Sequence, residues 1–277
     1  MAKGLALSIG LNAVDPKHYS GWSGPLNACE ADAQDMTQIA KSREFTVTTL
    51  LTKDATLETV QKKISEAAST LKAGDTFMLT YSGHGGQLPD LNREEVDHQD
   101  ETWCLYNGEL VDDQLYALLG AFKEHVRVIV LSDSCHSGTI VKQAYYHGTA
   151  DARKSAMGEL PRYRCMPPEA ALATYRQNKA FYDHILKNRK IGQRIEAVKA
   201  SVLLISGCQD NQLSQDGAFN GLFTAQLLRV WNDGDFQGGY QRFHNQIVRR
   251  MPPDQTPNYF RIGIRDAAFE KASPFTL

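Results

Sequence analysis

Apolar positions along this chain follow two rhythms that take turns. Short runs rich in Val, Ile, Leu and Phe cover 5–11, 45–51, 75–82, 126–132, 200–206 and 258–264. Their length and β-branched content predict strands. Between them, apolar residues return at three- and four-residue intervals over 28–42, 56–71, 112–123, 221–231 and 240–250, which predicts helices. The second is the clearest, with Leu57, Val60, Ile64, Ala67, Ala68 and Leu71 on one face. Strands that alternate with helices predict the α/β class, a mostly parallel central sheet flanked by helices on both faces.

The stretch 143–199 breaks the alternation. It carries Pro161, Pro167 and Pro168, many Lys and Arg residues, and room for one helix near 169–188. It reads as a linker within a single domain, 1–277, between a large part, 1–142, and a small part, 200–277.

Composition narrows the class of function. A net charge of −2 over 277 residues gives no general pull toward nucleic acid or an anionic membrane. No apolar run approaches the roughly 20 residues of a spanning helix. The apolar N-terminal stretch lacks a small-residue cleavage site and reads as a strand, not a leader. Cys29, Cys104, Cys135, Cys165 and Cys208 are odd in number and widely spaced, with no C-x-x-C pair. That pattern predicts free thiols, a cytoplasmic location and no structural zinc. The chain is expected to be a monomer.

Two segments carry candidate chemistry. Tyr81-Ser82-Gly83-His84-Gly85-Gly86 follows the third predicted strand, and Asp133-Ser134-Cys135-His136-Ser137-Gly138 follows the fourth. Loops at the carboxyl ends of parallel strands line the ligand crevice of an open sheet. If the two strands are neighbours, His84 and Cys135 share that crevice. A thiol beside an imidazole suits nucleophilic acyl transfer, with the imidazole moving the proton. The backbone N–H groups of Gly85 and Cys135 could then receive a developing oxyanion. Singly, a cysteine at a strand end is most often an inert buried thiol, and a lone histidine a structural one.

The two motifs, 51 residues apart from His84 to Cys135, resemble those of caspase-like peptidases, in the Asp-x-Cys-His-Ser-Gly form of metacaspases and bacterial orthocaspases. Asn27-Ala28-Cys29-Glu30-Ala31-Asp32-Ala33 and Ser206-Gly207-Cys208-Gln209-Asp210-Asn211-Gln212 extend the resemblance over nearly the whole chain. The resemblance implies a caspase-hemoglobinase fold and a cysteine endopeptidase that cuts protein and peptide substrates after Arg or Lys through a thioester acyl-enzyme. It implies Cys135 as nucleophile, His84 as base, and a pocket for the basic side chain formed by Cys29, Asp32, Ser82 and Asp133. It also raises self-cleavage within 143–199, at a bond that the sequence does not single out.

In calcium-dependent relatives four aspartates hold the ion. Asp100, Asp112 and Asp113 match three of them, but Lys142 stands at the fourth position. No cofactor is therefore expected, and the acidic stretch 94–101 reads as a solvated loop. Two other functions compete. One is a non-enzymatic scaffold of the same fold, in which the reactive pair is usually lost. The other is a metal site built from His84, Cys135 and His136, which lacks further ligands at metal spacing.

Overall fold

The computed structural model describes residues 2–91, 99–135, 162–187, 198–208 and 214–277. The strands are β1 (Gly4–Gly10), β2 (Thr46–Leu51), β3 (Thr76–Ser82), β7 (Arg127–Asp133), β9 (Ser201–Ser206) and β11 (Asn258–Gly263), each on a stretch that the sequence predicts. They form one sheet in the order β11-β9-β7-β3-β1-β2. All neighbours run parallel except β11, which is antiparallel to β9 at the edge.

Side chains on successive strand residues point to opposite faces, so each strand feeds two cores. One face takes Leu7 and Ile9, Phe77 and Leu79, Val128 and Val130. It is covered by Leu57, Val60 and Ile64 of α2 (Leu57–Thr70) and by Leu115 and Leu119 of α3 (Asp112–Leu119). The other takes Ala6, Met78, Ile129, Leu131, Leu203 and Ile205. It is covered by α1 (Cys29–Ser42), with further helices α6 (Leu222–Trp231), α7 (Tyr240–Val248) and α8 (Ala267–Lys271). Both faces of the parallel sheet are thus dry, which explains why its strands read as nearly continuous apolar runs.

Three features depart from the sequence reading. The first is a second sheet of β4 (Gly85–Pro89), β5 (Gln99–Leu105) and β6 (Gly108–Val111), which stands on the crevice side of β3. Its Gly-Gly-Gln-Leu-Pro and acidic stretches carry no strand rhythm. The second is the helix expected near 169–188, which is two helices, α4 (Pro168–Gln177) and α5 (Lys179–Leu186). They part at Asn178, whose side-chain amide donates to the carbonyls of His18 and Thr174 at 2.9 Å each and so ends the first helix. The third concerns the stretch read as a linker. Residues 162–187 are packed on the body, and the two-residue strand β8 (Arg162–Tyr163) pairs with β10 (Gln215–Asp216).

Candidate active site

β3 and β7 are parallel neighbours in a register that places Ser82 beside Asp133. His84 and Cys135 each lie two residues beyond that pair, so the sheet itself brings the two motifs to one spot. Both are buried. His84 is held from several sides. Its carbonyl accepts the Tyr81 hydroxyl at 2.7 Å and the Cys104 N–H at 2.9 Å. Its ring lies against Trp22, centroid to centroid 4.8 Å. Nε2 lies 3.0 Å from the Gly24 carbonyl. A carbonyl can only accept, so the proton sits on Nε2 and Nδ1 keeps its lone pair. Nδ1 is buried with no hydrogen-bond partner among the described residues. Burial lowers the imidazole pKa to about 4, so the ring is neutral near pH 7.

The Cys135 sulfur accepts the Ser214 N–H at 2.7 Å. The glycines of the histidine motif serve close approach: a Cβ on Gly85 would overlap the Cys135 carbonyl.

The pocket beside this pair is filled by the chain's own Arg164, whose side chain is fully buried. Its Nη2 donates to Asp32 Oδ2 at 2.7 Å and to Asp216 Oδ1 at 3.1 Å. Its Nη1 lies 2.9 Å from Asp133 Oδ2 and donates to Ser82 Oγ at 2.8 Å. Three of the four residues expected in a basic pocket, Asp32, Ser82 and Asp133, therefore touch a guanidinium. The fourth, Cys29, is buried close by, and desolvation pushes its thiol up to about 12 against the pull of Arg164 and Ser82.

The carboxylates are held in place by the first turn of α6. Asp32 accepts the Gly221 N–H at 3.1 Å and Asn220 Nδ2 at 2.9 Å. Asp133 accepts the Thr224 N–H at 3.1 Å and its hydroxyl at 2.8 Å. Free N–H groups and the positive end of the helix dipole offset part of the cost of burying the acids. Desolvation still raises Asp32 to about 6, with repulsion from Asp133 adding to it against the pull of Arg164.

The backbone around Arg164 is as well placed as its side chain. Its carbonyl accepts the N–H of Gly85 at 2.9 Å and of Cys135 at 3.1 Å, the two donors expected from the sequence. Its own N–H donates to the Ser214 carbonyl at 3.0 Å, continuing the β8–β10 pairing. On the far side, Cys165 bridges Gly85 in parallel, and the Met166 N–H donates to the Gly85 carbonyl at 2.8 Å.

The sequence reading missed Asp216, Ser214 and Gln255, and offered Arg164 only as one of several basic residues in 143–199 open to self-cleavage. Asp216 and Ser214 sit on a strand of two residues, too short for a periodic signal. Gln255 is fully buried and ties Ser214 Oγ and the Gly207 carbonyl, at 3.0 and 3.1 Å. Asp100 lies on β5, while Asp112 and Asp113 open α3. Among the described residues no three His, Cys, Asp or Glu side chains gather as a metal site. Lys142, His136 and residues 92–98 lie outside the described residues. No helix among the described residues is long and apolar enough to cross a membrane, and no cysteine is in a disulfide.

A parallel sheet with a buried imidazole and thiol at the ends of adjacent strands defines a class, the caspase-like α/β proteins. The match to known proteins is specific: residues 3–269 fit the model of the caspase domain, and the chain belongs to that family. It is 27% identical over 252 residues to metacaspase-1A of Aspergillus oryzae, covering 80% of this chain and 58% of that protein. It is 27% identical over 259 residues to metacaspase-1 of Schizosaccharomyces pombe, covering 82% of this chain and 59% of that one. The chain thus spans less than two thirds of these relatives. The crystal structure of protein GSU0716 from Geobacter sulfurreducens superposes with a TM-score of 0.89 at 60% identity, covering 99% of each chain.

Proposed function

We propose that this chain is an endopeptidase that cuts after Arg, and after Lys less tightly held, with Cys135 as nucleophile and His84 as proton carrier. One observation carries the reading: Arg164 lies in the site as a substrate would, its guanidinium among three carboxylates and its carbonyl on two N–H donors. A planar guanidinium satisfies several acids at once, whereas an ammonium acts as a point charge. The two N–H groups lie 2.9 and 3.1 Å from a ground-state carbonyl, where they would stabilise the oxyanion formed on attack.

The chemistry follows from the neutral imidazole. Nδ1 takes the thiol proton as Cys135 Sγ adds to the carbonyl carbon. The tetrahedral adduct collapses to a thioester, and the same proton goes to the departing amine nitrogen. Water then adds to the thioester, giving up a proton to Nδ1, and the thiol is restored. The Gly24 carbonyl keeps Nε2 protonated and the ring oriented throughout.

A panel of fluorogenic peptides with Arg, Lys or Asp before the scissile bond tests the reading, run on the wild type and on Arg164→Ala. Arg and Lys peptides should be cut and Asp peptides refused, because a pocket of three acids repels a fourth. Chelator should leave the rates unchanged. Efficient cleavage of the Asp peptide, or Arg peptides left intact by both proteins, would overturn it.

A further inference from the structure

We infer that the Arg164–Cys165 bond is a resident substrate that the enzyme opens and reseals, so that the chain inhibits its own site while remaining whole. The inference rests on the peptidase reading above and adds to it the fate of the leaving group.

Cleavage at a bond normally succeeds because the amine product diffuses away and water takes its place. Here the amine side is built into the fold. Cys165 is bridged to Gly85, and the Met166 N–H is bonded to the Gly85 carbonyl. The Met166 side chain is buried with Val14, Tyr19 and Cys104. Two residues on, α4 begins and packs over β4, and α5 follows. Tyr182 of α5 is fully buried, with its hydroxyl 2.7 Å from His18 Nε2 and accepting the Glu109 N–H at 3.2 Å. Leu186 is buried with Leu88 of β4 and Val111 of β6. Asn178 and Gln177 hold the His18 and Lys17 carbonyls. The Gly85 bridge shares the Arg164 carbonyl, but the Met166 hydrogen bond and the packing of Met166, Tyr182 and Leu186 lie wholly on the amine side and do not depend on the Arg164–Cys165 bond being intact.

The consequences follow atom by atom. Cys135 Sγ bonds to the Arg164 carbonyl carbon, the bond from that carbon to the Cys165 nitrogen breaks, and Nδ1 of His84 delivers the proton to that nitrogen. The new α-amine stays where it was formed. It can add back to the thioester carbon, expel the Cys135 sulfur and return its proton through His84, and the original peptide is restored. The competitor is water at about 55 M, whereas a group held in position acts at an effective molarity of about 10⁵ M or more. Resealing therefore outpaces hydrolysis by about 10³-fold or more as long as the amine side stays docked. Peptides in solution enter only when the segment from Arg164 to Leu186 lifts off.

Hydroxylamine separates the outcomes. It attacks thioesters at neutral pH and would trap the opened state as an Arg164 hydroxamate with a free Cys165 amine. In plain buffer the wild type should remain one chain. In hydroxylamine it should convert to two chains carrying the hydroxamate, and Cys135→Ala should not. Met166→Ala and, more mildly, Tyr182→Phe should each raise the two-chain fraction and the rate on Arg peptides several-fold.

Two results would sink the resealing while leaving the peptidase reading in place. One is a wild type that stays uncut in hydroxylamine while Arg164→Ala or Met166→Ala cleaves Arg peptides. The other is a wild type that passes in plain buffer to a stable two-chain form ending at Arg164. If no variant cleaves Arg peptides and no hydroxamate forms, the peptidase reading falls and the resealing with it.

Discussion

The two sides of the Arg164–Cys165 bond are held by different physics. The amino-terminal side is held by charge and backbone: one guanidinium among Asp32, Asp133 and Asp216, and a two-residue strand beside β10. The carboxyl-terminal side is held by packing, with Met166, Tyr182 and Leu186 all buried in apolar clusters. Any peptide with an arginine and a free backbone could reproduce the first set of contacts. Only this chain supplies the second. On the proposed reading, recognition of substrate is separated from retention of the leaving group, and each side can be disturbed alone.

The difference shows in their energetics. Burying side chains such as Met166, Tyr182 and Leu186 is favourable by about 1.5–3 kcal/mol each, with no partner left unsatisfied. The charged side stands on a balance: isolated ions pay heavily for desolvation, and the cluster is stable only as a paired whole. Removing the guanidinium leaves three buried acids, so Arg164→Ala should raise their affinity for protons or for an incoming basic side chain.

The largest effect is expected where both sides meet. Cys135→Ala should lower the rate on Arg peptides by about 10³-fold or more and abolish cutting at Arg164, since members of one catalytic unit do little alone. The fold should be unchanged by thermal melting, because the substitution removes a single sulfur. Activity within a few-fold of wild type would mean that another group attacks the carbonyl.

Next in size is the charged side. Asp133→Asn keeps the shape of the side chain and its bonds to Thr224, and removes one charge from the pocket. Its kcat/KM for Arg peptides should fall about 10²-fold, the scale for truncating one partner of a buried charge pair. Acid should mimic this in part. With Asp32 near 6, lowering the pH through 6 protonates it and weakens the hold on a guanidinium. The measurement is kcat/KM against pH for Arg and uncharged peptides side by side. A fall shared equally by both would assign the acid limb to the catalytic groups instead of the pocket.

The same division explains what was legible in the sequence. The six strands of the main sheet and their flanking helices announce themselves because both faces are dry and their apolar runs are long. The two motifs stand out because chemistry-bearing residues sit among glycines at strand ends, and the parallel register of β3 with β7 brings them together. The remainder of the site is built from pieces with no periodic signal. β8 and β10 are two residues each, and Asp216 is one acid among many on the chain. Arg164 lies in a basic, proline-bearing stretch that reads as a linker, since nothing in its spacing marks one arginine of several as the buried one. What selects it is the match of its neighbours to both sides of the site, a long-range fact that only the folded chain displays.

The smallest expected effect probes the packed side. Glu109 lies on β6 beneath the docked segment and is fully buried. Its Oε2 accepts the Thr102 hydroxyl at 2.6 Å, while Oε1 has no hydrogen-bond partner among the described residues. Burial raises its pKa to about 7. In the unfolded chain a glutamate titrates near 4.3. The folded state therefore holds its proton more tightly, and stability from this group is full below the unfolded value and lost as pH rises through about 7. The whole swing is on the order of 3 kcal/mol. Glu109→Gln keeps the amide oxygen for Thr102 and cannot ionise. Its Tm should match that of the wild type near pH 4 and exceed it by a few degrees above pH 7. Titration of His84 and Asp32 is common to both proteins and cancels in the difference. Burial of the charge that appears on Glu109 above neutrality is costly and the Tyr182 hydroxyl offsets only part of it, so the wild type should also release its α4–α5 segment more readily there than Glu109→Gln does. Hydrogen exchange of residues 168–186 at two pH values reads this directly. Equal protection in the two proteins at pH 8 would show that the packed side stands without regard to the charge beneath it.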